Sequence, residues 1–358
     1  MHTIILSSGD IQEMVSHYGL DVLMDELITR LEVATKQFNN QNTIIPIRSG
    51  FNYQQPHAGL VEWMPLYQKG EKVSIKLVGY HPENPEQYQL PTILSTISSY
   101  DTATGHLIGV VDGVFATALR TGAASAIASR AMAKVDSSVL GLIGCGAQAV
   151  TQLHAISRLF SIREVLLCDV DDATIYSFSE RCEVLDLDIK YQSTSIEQLV
   201  QQSDIICTAT SVEVGKGPLF KNLETLPHLH INAVGADFPG KVELPLDLLK
   251  QSFVCPDFIE QAFKEGECQR LDRAKITVDI TQVLANPSIY QHLRKQRTVY
   301  DSTGWALQDH IVMEFFMEYA QKIGAGQFVK IENTPEDAKN PYSFAQKNVA
   351  SPIELMQK

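Results

Sequence analysis

Apolar and polar positions follow three rhythms along this chain. Near the start, Thr3–Leu6 is a short apolar run, and Met14, Val15, Leu20, Val22, Leu23, Leu27 and Leu31 then recur at helical spacing. This pattern predicts a strand followed by one helix to about residue 35, capped by Ser8 or Asp10. Residues 44–112 carry short apolar runs with no helical stretch between them: Ile44–Arg48, Gly59–Pro65, Val73–Gly79, Thr92–Tyr100 and Leu107–Val111. They predict a β-rich unit, with Asp101-Thr102-Ala103-Thr104-Gly105 as the turn between the last two strands.

The third rhythm begins after an Ala-rich stretch, 113–134, that reads as a helix packed closely by small side chains. From 139 to about 300, strands alternate with helices. The strands are Val139–Ile143, Val165–Cys168, Ile189–Gln192, Asp204–Thr208, His230–Val234, Ser252–Cys255 and Thr298–Tyr300. Such alternation predicts an α/β chain with a Rossmann-type, doubly wound parallel sheet. Segment 301–324 reads as a turn and an amphipathic helix with Val312, Phe315, Phe316, Tyr319 and Ile323 on one face. The expected domains are 1–120 for substrate binding and dimerisation, completed by 305–358, and 121–304 for the nucleotide. The polar tail after Gly326 is expected to wrap a partner or fray.

Composition narrows the function classes. At 358 residues, 44% hydrophobic and 20% charged, the chain has the make-up of a globular protein with a sizeable core. A net charge of −13 argues against nucleic acid or an anionic membrane as partner, and no apolar run is long enough to span one. Cys145, Cys168, Cys182, Cys207, Cys255 and Cys268 form no CxxC pair, and the ten histidines show no metal-ligand spacing. Reduced thiols and no signal peptide give a cytoplasmic expectation, with no metal.

The strand at 139–143 ends in Gly144-Cys145-Gly146-Ala147-Gln148-Ala149. Gly144 permits a tight turn, Gly146 lets a pyrophosphate approach the backbone, and Ala149 lets helix and strand pack closely. The next apolar run ends in Asp169, near the spacing expected of a carboxylate that accepts from a ribose 2′-OH. A carboxylate there repels a 2′-phosphate, so NAD is expected over NADP. The plainer alternative makes Asp169 a helix cap.

Four further stretches stand out: Val61-Glu62-Trp63-Met64-Pro65 with Ser74-Ile75-Lys76-Leu77, then Ala118-Leu119-Arg120-Thr121, then Asn232 to Lys241 (NAVGADFPGK), then Tyr300 to Asp309 (YDSTGWALQD). Together with the glycine fingerprint, and with Glu265-Gly266-Glu267, they resemble the ornithine cyclodeaminase/μ-crystallin family, its ornithine cyclodeaminase branch most closely. The resemblance implies a homodimer joined through the β-rich domain, NAD held through turnover, and conversion of L-ornithine to L-proline and ammonia. It implies that Arg48, Lys76 and Arg120 clamp the substrate carboxylate and that Asp237 is the general acid/base. Thr92, Arg120, Ala147, Gln148, Asp169, Thr210, Val234, Gly235, Ala236, Asp237, Lys241 and Ser302 would line the cofactor with Gly144 and Gly146. Thr303 sits where a substrate contact is expected, in place of an apolar residue.

The chemistry is sensible apart from the resemblance. Cations suit an amino acid's carboxylate, and one carboxylate near its amine can move the protons that oxidation, cyclisation and loss of ammonia require. Several alternatives stay open. Glu62 orients a substrate amine or pairs with Arg48. Asp237 is catalytic or a turn residue. Lys76 and Arg120 bind substrate or form ordinary salt bridges. At the level of function, one alternative has lysine in place of ornithine, giving pipecolate. Others are an NAD-dependent amino-acid dehydrogenase or ketimine reductase, and a non-catalytic ligand-binding protein.

Overall fold

The rhythms of the sequence become two sheets in the structure, a computed structural model that describes residues 1–335 and 337–342. The strands are β1 (Thr3–Leu6), β2 (Thr43–Ile44), β3 (Ser49–Tyr53), β4 (Gly59–Gln68), β5 (Lys72–Tyr80), β6 (Ile93–Asp101), β7 (Leu107–Asp112), β8 (Val139–Ile143), β9 (Glu164–Cys168), β10 (Lys190–Ser193), β11 (Ile205–Thr208), β12 (His230–Ala233), β13 (Phe253–Pro256), β14 (Thr298–Asp301) and β15 (Gln327–Val329). One sheet has the order β15-β1-β7-β6-β5-β4-β2, with β3 also on β4. The other has the order β10-β9-β8-β11-β12-β14-β13, and its neighbours are all parallel. Its chain direction of build reverses between β8 and β11, which opens a crevice beyond the carboxyl ends of those strands.

The Ala-rich stretch forms a helix, Gly113–Met132, that joins the two sheets. It is almost entirely buried because its side chains are small. A Cβ on Gly122 would strike the backbone of Thr151 in the helix Ala147–Leu159. Asp112 caps its start by accepting from the Val114 N–H, a bond of the type worth about 1 kcal/mol. The C-terminal helix, Ala306–Ile323, packs across the Gly113–Met132 helix and the inner face of the first sheet, burying Val312, Phe315 and Phe316.

Several local expectations need correction. The single N-terminal helix is two, Ser8–Tyr18 and Leu20–Gln37, parted at Gly19, whose φ of 83° breaks the helical run. Ser7 is the cap, in a reciprocal pair with Asp10. The strand expected at Ile44–Arg48 stops at Ile44, since Pro46 has no N–H to give a ladder, and pairing resumes at Ser49. That leaves Arg48 in a connection. The tail does not fray at once: β15 pairs antiparallel with β1. The wrapping expected of the tail's end, and of the last part of 305–358, lies outside the described residues.

Candidate active site

The nucleotide end of the crevice is built mainly by backbone. Gly144 takes a φ of 87°, and a Cβ there would run into the Ala209 carbonyl. Gly146 precedes the helix Ala147–Leu159 with no side-chain cap, and the space where its Cβ would stand is open. The Ala149 N–H is held by the Gly146 carbonyl at 3.1 Å, and among the described residues no acceptor holds the Ala147 and Gln148 N–H groups, which a pyrophosphate would take. Asp169, at the end of β9, accepts from the Cys145 N–H at 2.6 Å and the Asp171 N–H at 3.0 Å. The next helix is capped by Asp171, not Asp169. Asp169 thus faces the glycine loop, where a ribose hydroxyl would reach it. The Gln148 amide turns back to donate to the Ala118 carbonyl and the Thr151 hydroxyl. These residues fit a dinucleotide.

The other end of the crevice lies beyond β11 and β12, where Thr210, Val234, Gly235, Ala236 and Asp237 follow their strands. The side chain of Asp237 is 37% exposed, and its Oδ1 accepts from Lys241 Nζ at 3.0 Å. Lys241 also lies 5.6 Å from the centre of the Tyr80 ring, which brings the end of β5 to the crevice. Thr92 is beside it, its carbonyl accepting from the His81 N–H at 2.8 Å. Ser302 is buried and its N–H donates to the Ala233 carbonyl at 2.9 Å, tying the β14 loop to β12.

Beneath Asp237 lies a buried charge cluster. Arg48 donates to the Asp237 carbonyl at 2.9 Å, pairs with Glu265, and has Glu62 at 3.6 Å. Its backbone N–H is held by Gln261 at 3.0 Å. Lys76 and Arg120 share one oxygen of Asp309, at 2.9 and 3.1 Å, and Arg120 also donates to Gln308 at 2.8 Å. All three cations are buried. Burial, and then Arg120, push the Lys76 ammonium down to about 7, while Asp309 pulls the other way. Burying an ion costs several kcal/mol even when it is paired. Three buried cations, each already paired with a carboxylate, are a costly way to stabilise a fold, and their clustering marks a site whose donors a substrate carboxylate would share with those partners.

The sequence-derived residues therefore gather in one crevice, with two qualifications. Glu62 stands against Arg48, as the pairing alternative has it. The Thr303 hydroxyl is engaged by buried Asp257, to which it donates at 3.0 Å beside the Gly304 N–H at 2.8 Å. Thr303 thus shapes the loop over Arg120, where a Cβ on Gly304 would sit 3.2 Å from the guanidinium. Sequence reasoning missed Gln261, Asp257 and Glu243, and named Glu265, Gln308 and Asp309 only as parts of stretches. The available signal was a lone polar residue in an apolar run, as Glu243 is in Val242-Glu243-Leu244-Pro245-Leu246.

Known proteins match this arrangement along almost its whole length. The L-lysine cyclodeaminase of Streptomyces rapamycinicus is 38% identical over 345 residues, 96% of this chain and 100% of that protein. Among solved structures, a lysine cyclodeaminase studied for its recognition of L-lysine, L-ornithine and L-2,4-diaminobutyric acid superposes with a TM-score of 0.92 at 43% identity. It covers 96% of this chain and 99% of its own. An archaeal alanine dehydrogenase dimer with bound NAD gives a TM-score of 0.81 at 31% identity, over 93% and 100%. The family model for ornithine cyclodeaminase/mu-crystallin matches residues 11–323, and this chain belongs to that family.

Proposed function

We propose that this protein is a cyclodeaminase of diamino acids that turns L-lysine into L-pipecolate and ammonia, with L-ornithine to L-proline as a second reaction. The observation that carries the reading is the gathering of buried Arg48, Lys76 and Arg120 in one cluster, tied to the Asp237 loop by the bond from Arg48 to the Asp237 carbonyl. What favours lysine over the ornithine expected first is that the two cyclodeaminases just described, at 38% and 43% identity, are lysine cyclodeaminases. The cofactor is NAD, held by the helix N-terminus after Gly146, by Asp169, and by the loops of Thr210, Val234–Asp237, Lys241 and Ser302.

Arg48, Lys76 and Arg120 take the substrate carboxylate, and the guanidiniums offer it a planar fork. Asp237 takes a proton from the α-ammonium, since a carbon bearing an ammonium cannot release hydride. NAD, when bound, would supply the redox chemistry, as acceptor and then donor of one hydride. Loss of hydride leaves a C=N bond at the α-carbon; the neutral side-chain amine adds to that carbon within the same molecule, which is fast for that reason, and the π pair moves onto the α-nitrogen. Asp237 then gives its proton to the α-nitrogen, and ammonia leaves as the ring nitrogen, having lost its own proton, forms the C=N bond that the returning hydride reduces.

A homodimer is part of the proposal. Strand alternation puts Leu77 and Trp63 on the sheet face opposite Lys76. Phe51, Leu77 and Leu94 are 69%, 47% and 39% exposed there, an apolar patch that a second copy would cover. The division at residues 120/121 and 304/305 and a cytoplasmic location belong to the same reading. Among the described residues, no helix is long and apolar enough to cross a membrane.

The test is incubation with lysine and with ornithine separately, without added nucleotide, and assay for pipecolate, proline and ammonia. Multiple turnovers to a cyclic product are expected, faster with lysine. Formation of a 2-oxo acid with one equivalent of NADH would instead support a dehydrogenase, the reading that likeness to the alanine dehydrogenase favours.

A further inference from the structure

Glu243 is the best-satisfied buried acid at the crevice and has no part in the chemistry described above. It is wholly buried. Its Oε2 accepts from the Gly235 N–H at 2.8 Å and the Thr208 hydroxyl at 2.6 Å. Its Oε1 accepts from the Thr210 N–H at 2.8 Å and the Thr210 hydroxyl at 2.7 Å. Each oxygen thus meets a backbone N–H that can only donate, so an amide in its place would leave one donor facing another. Gly235 is part of the same arrangement, because a Cβ there would collide with this carboxylate. The Glu243 backbone is fixed in turn by Glu267, which accepts its N–H at 2.6 Å.

The charge balance around it is one-sided. Arg48, Lys76 and Arg120 are matched by Glu62, Glu265 and Asp309, and Lys241 by Asp237. Among the described residues, no cationic nitrogen lies within ion-pair distance of Glu243. The carboxylate beside it, Glu267, is paired with Arg270 at 2.7 Å, and Asp301, which accepts from the Glu267 N–H, carries the same sign. Burial pushes the Glu243 carboxyl up from its ordinary value, while its hydroxyl and N–H donors and the Lys241 charge pull it down.

We infer that Glu243 is a positioning residue that also poises the cofactor, its buried negative charge behind the Thr210 and Gly235 loops favouring NAD⁺ over NADH. This rests on the proposed placement of the nicotinamide beyond β11 and β12. The oxidised ring is a cation and the reduced ring is neutral, so a fixed anion close by stabilises the first selectively. Such a bias suits an enzyme that begins and ends each turnover with the oxidised form.

The test is competition between NAD⁺ and NADH for the full-length protein, read by the fluorescence of bound NADH. The wild type is expected to bind NAD⁺ more tightly. Glu243→Gln should move the affinity ratio toward NADH by about tenfold, the order of effect that one unit charge has across a partly desolvated pocket. Thr208→Val removes one hydrogen bond and keeps the charge, so it should weaken both forms alike. An unchanged ratio in Glu243→Gln overturns the inference. So does a wild type that prefers NADH, and that result stands even where the Gln variant does not fold. Binding of neither nucleotide by the wild type overturns the cofactor placement itself, and this inference with it.

Discussion

The two ends of the crevice are built on opposite plans. The nucleotide end comes from one continuous stretch, Gly144 to Asp169, and works largely through backbone: a left-handed glycine, an uncapped helix start, and one carboxylate against the loop. The substrate end is assembled from side chains between Arg48 and Asp309, carried by both sheets, the Gly113–Met132 helix and the C-terminal helix. Local backbone geometry suffices to cradle a phosphate. Holding a small zwitterion and moving its protons requires several charges at fixed distances, and only tertiary packing sets those. Substitutions should separate the two ends accordingly.

The largest effect is expected at Asp237. Asn keeps its size but can neither take nor give a proton. Asp237→Asn should fold and hold NAD while turnover falls by about 10²–10⁴-fold. A change confined to KM would reduce Asp237 to a holder of the substrate amine, and near-normal product formation would leave the turn-residue alternative standing. Next comes Arg120, which anchors the cluster through Asp309 and Gln308. Arg120→Ala should weaken substrate binding by roughly 2–5 kcal/mol, the loss seen when one partner of a buried charge pair is removed. Lys there should restore only part of it, because it lacks the fork. Unchanged KM and kcat would take Arg120 out of the site. At the nucleotide end the expected change is in selectivity. Asp169→Ser removes the like charge that a 2′-phosphate meets and should raise the NADP-to-NAD affinity ratio by about ten- to a hundredfold. Equal affinities in the wild type, measured by calorimetry, would refute the role of Asp169.

The same contrast decides what the sequence reveals. The parallel sheet was legible because each strand is a short apolar run bounded by turn residues, and β8 begins and ends where that pattern says. The glycine loop was legible because its chemistry is local. Arg48 was placed on a strand that Pro46 prevents, and its partners Glu265 and Gln261 lie more than two hundred residues away, where no periodicity points to them. Asp309 was visible as the last residue of a noted stretch, but its role as the shared anchor of Lys76 and Arg120 exists only once the C-terminal helix docks on β5. β15 was missed for a related reason: three residues form a strand only because β1 offers them an edge.

Lys76 distinguishes the two plans by pH. Its ammonium titrates at about 7, whereas a guanidinium keeps its charge throughout. A bound carboxylate favours the protonated form, so binding is at full strength below about pH 7 and weakens as pH rises through it. KM should then climb by up to tenfold per pH unit until the higher value of the occupied site is reached. The effect on stability has the opposite slope. The unfolded chain keeps this proton up to about 10.4, so between 7 and that value it binds more protons than the fold, and stability rises with pH. Lys76→Arg should flatten the rise in KM. A KM that does not change between pH 6.5 and 8.5 in the wild type would remove Lys76 from carboxylate binding.

The smallest effect is expected at Thr303, and it tests whether a residue at the crevice belongs to the binding plan or only to its scaffold. Its hydroxyl donates to Asp257, a carboxyl that burial pushes above its ordinary range. Asp257 also accepts from the Gly304 and Phe258 N–H groups. Thr303→Val keeps the shape and removes one donor of that set. A hydrogen bond to a charged group contributes about 1.5–3 kcal/mol, and the remaining donors limit the loss to the lower end. For a chain of this size that is a fall in Tm of a few degrees at most. The loop over Arg120 should hold, so KM should stay within about twofold while Tm drops. A tenfold rise in KM with Tm unchanged would reverse the assignment. Thr303 would then contact the substrate directly, and Asp257 would be its orienting partner.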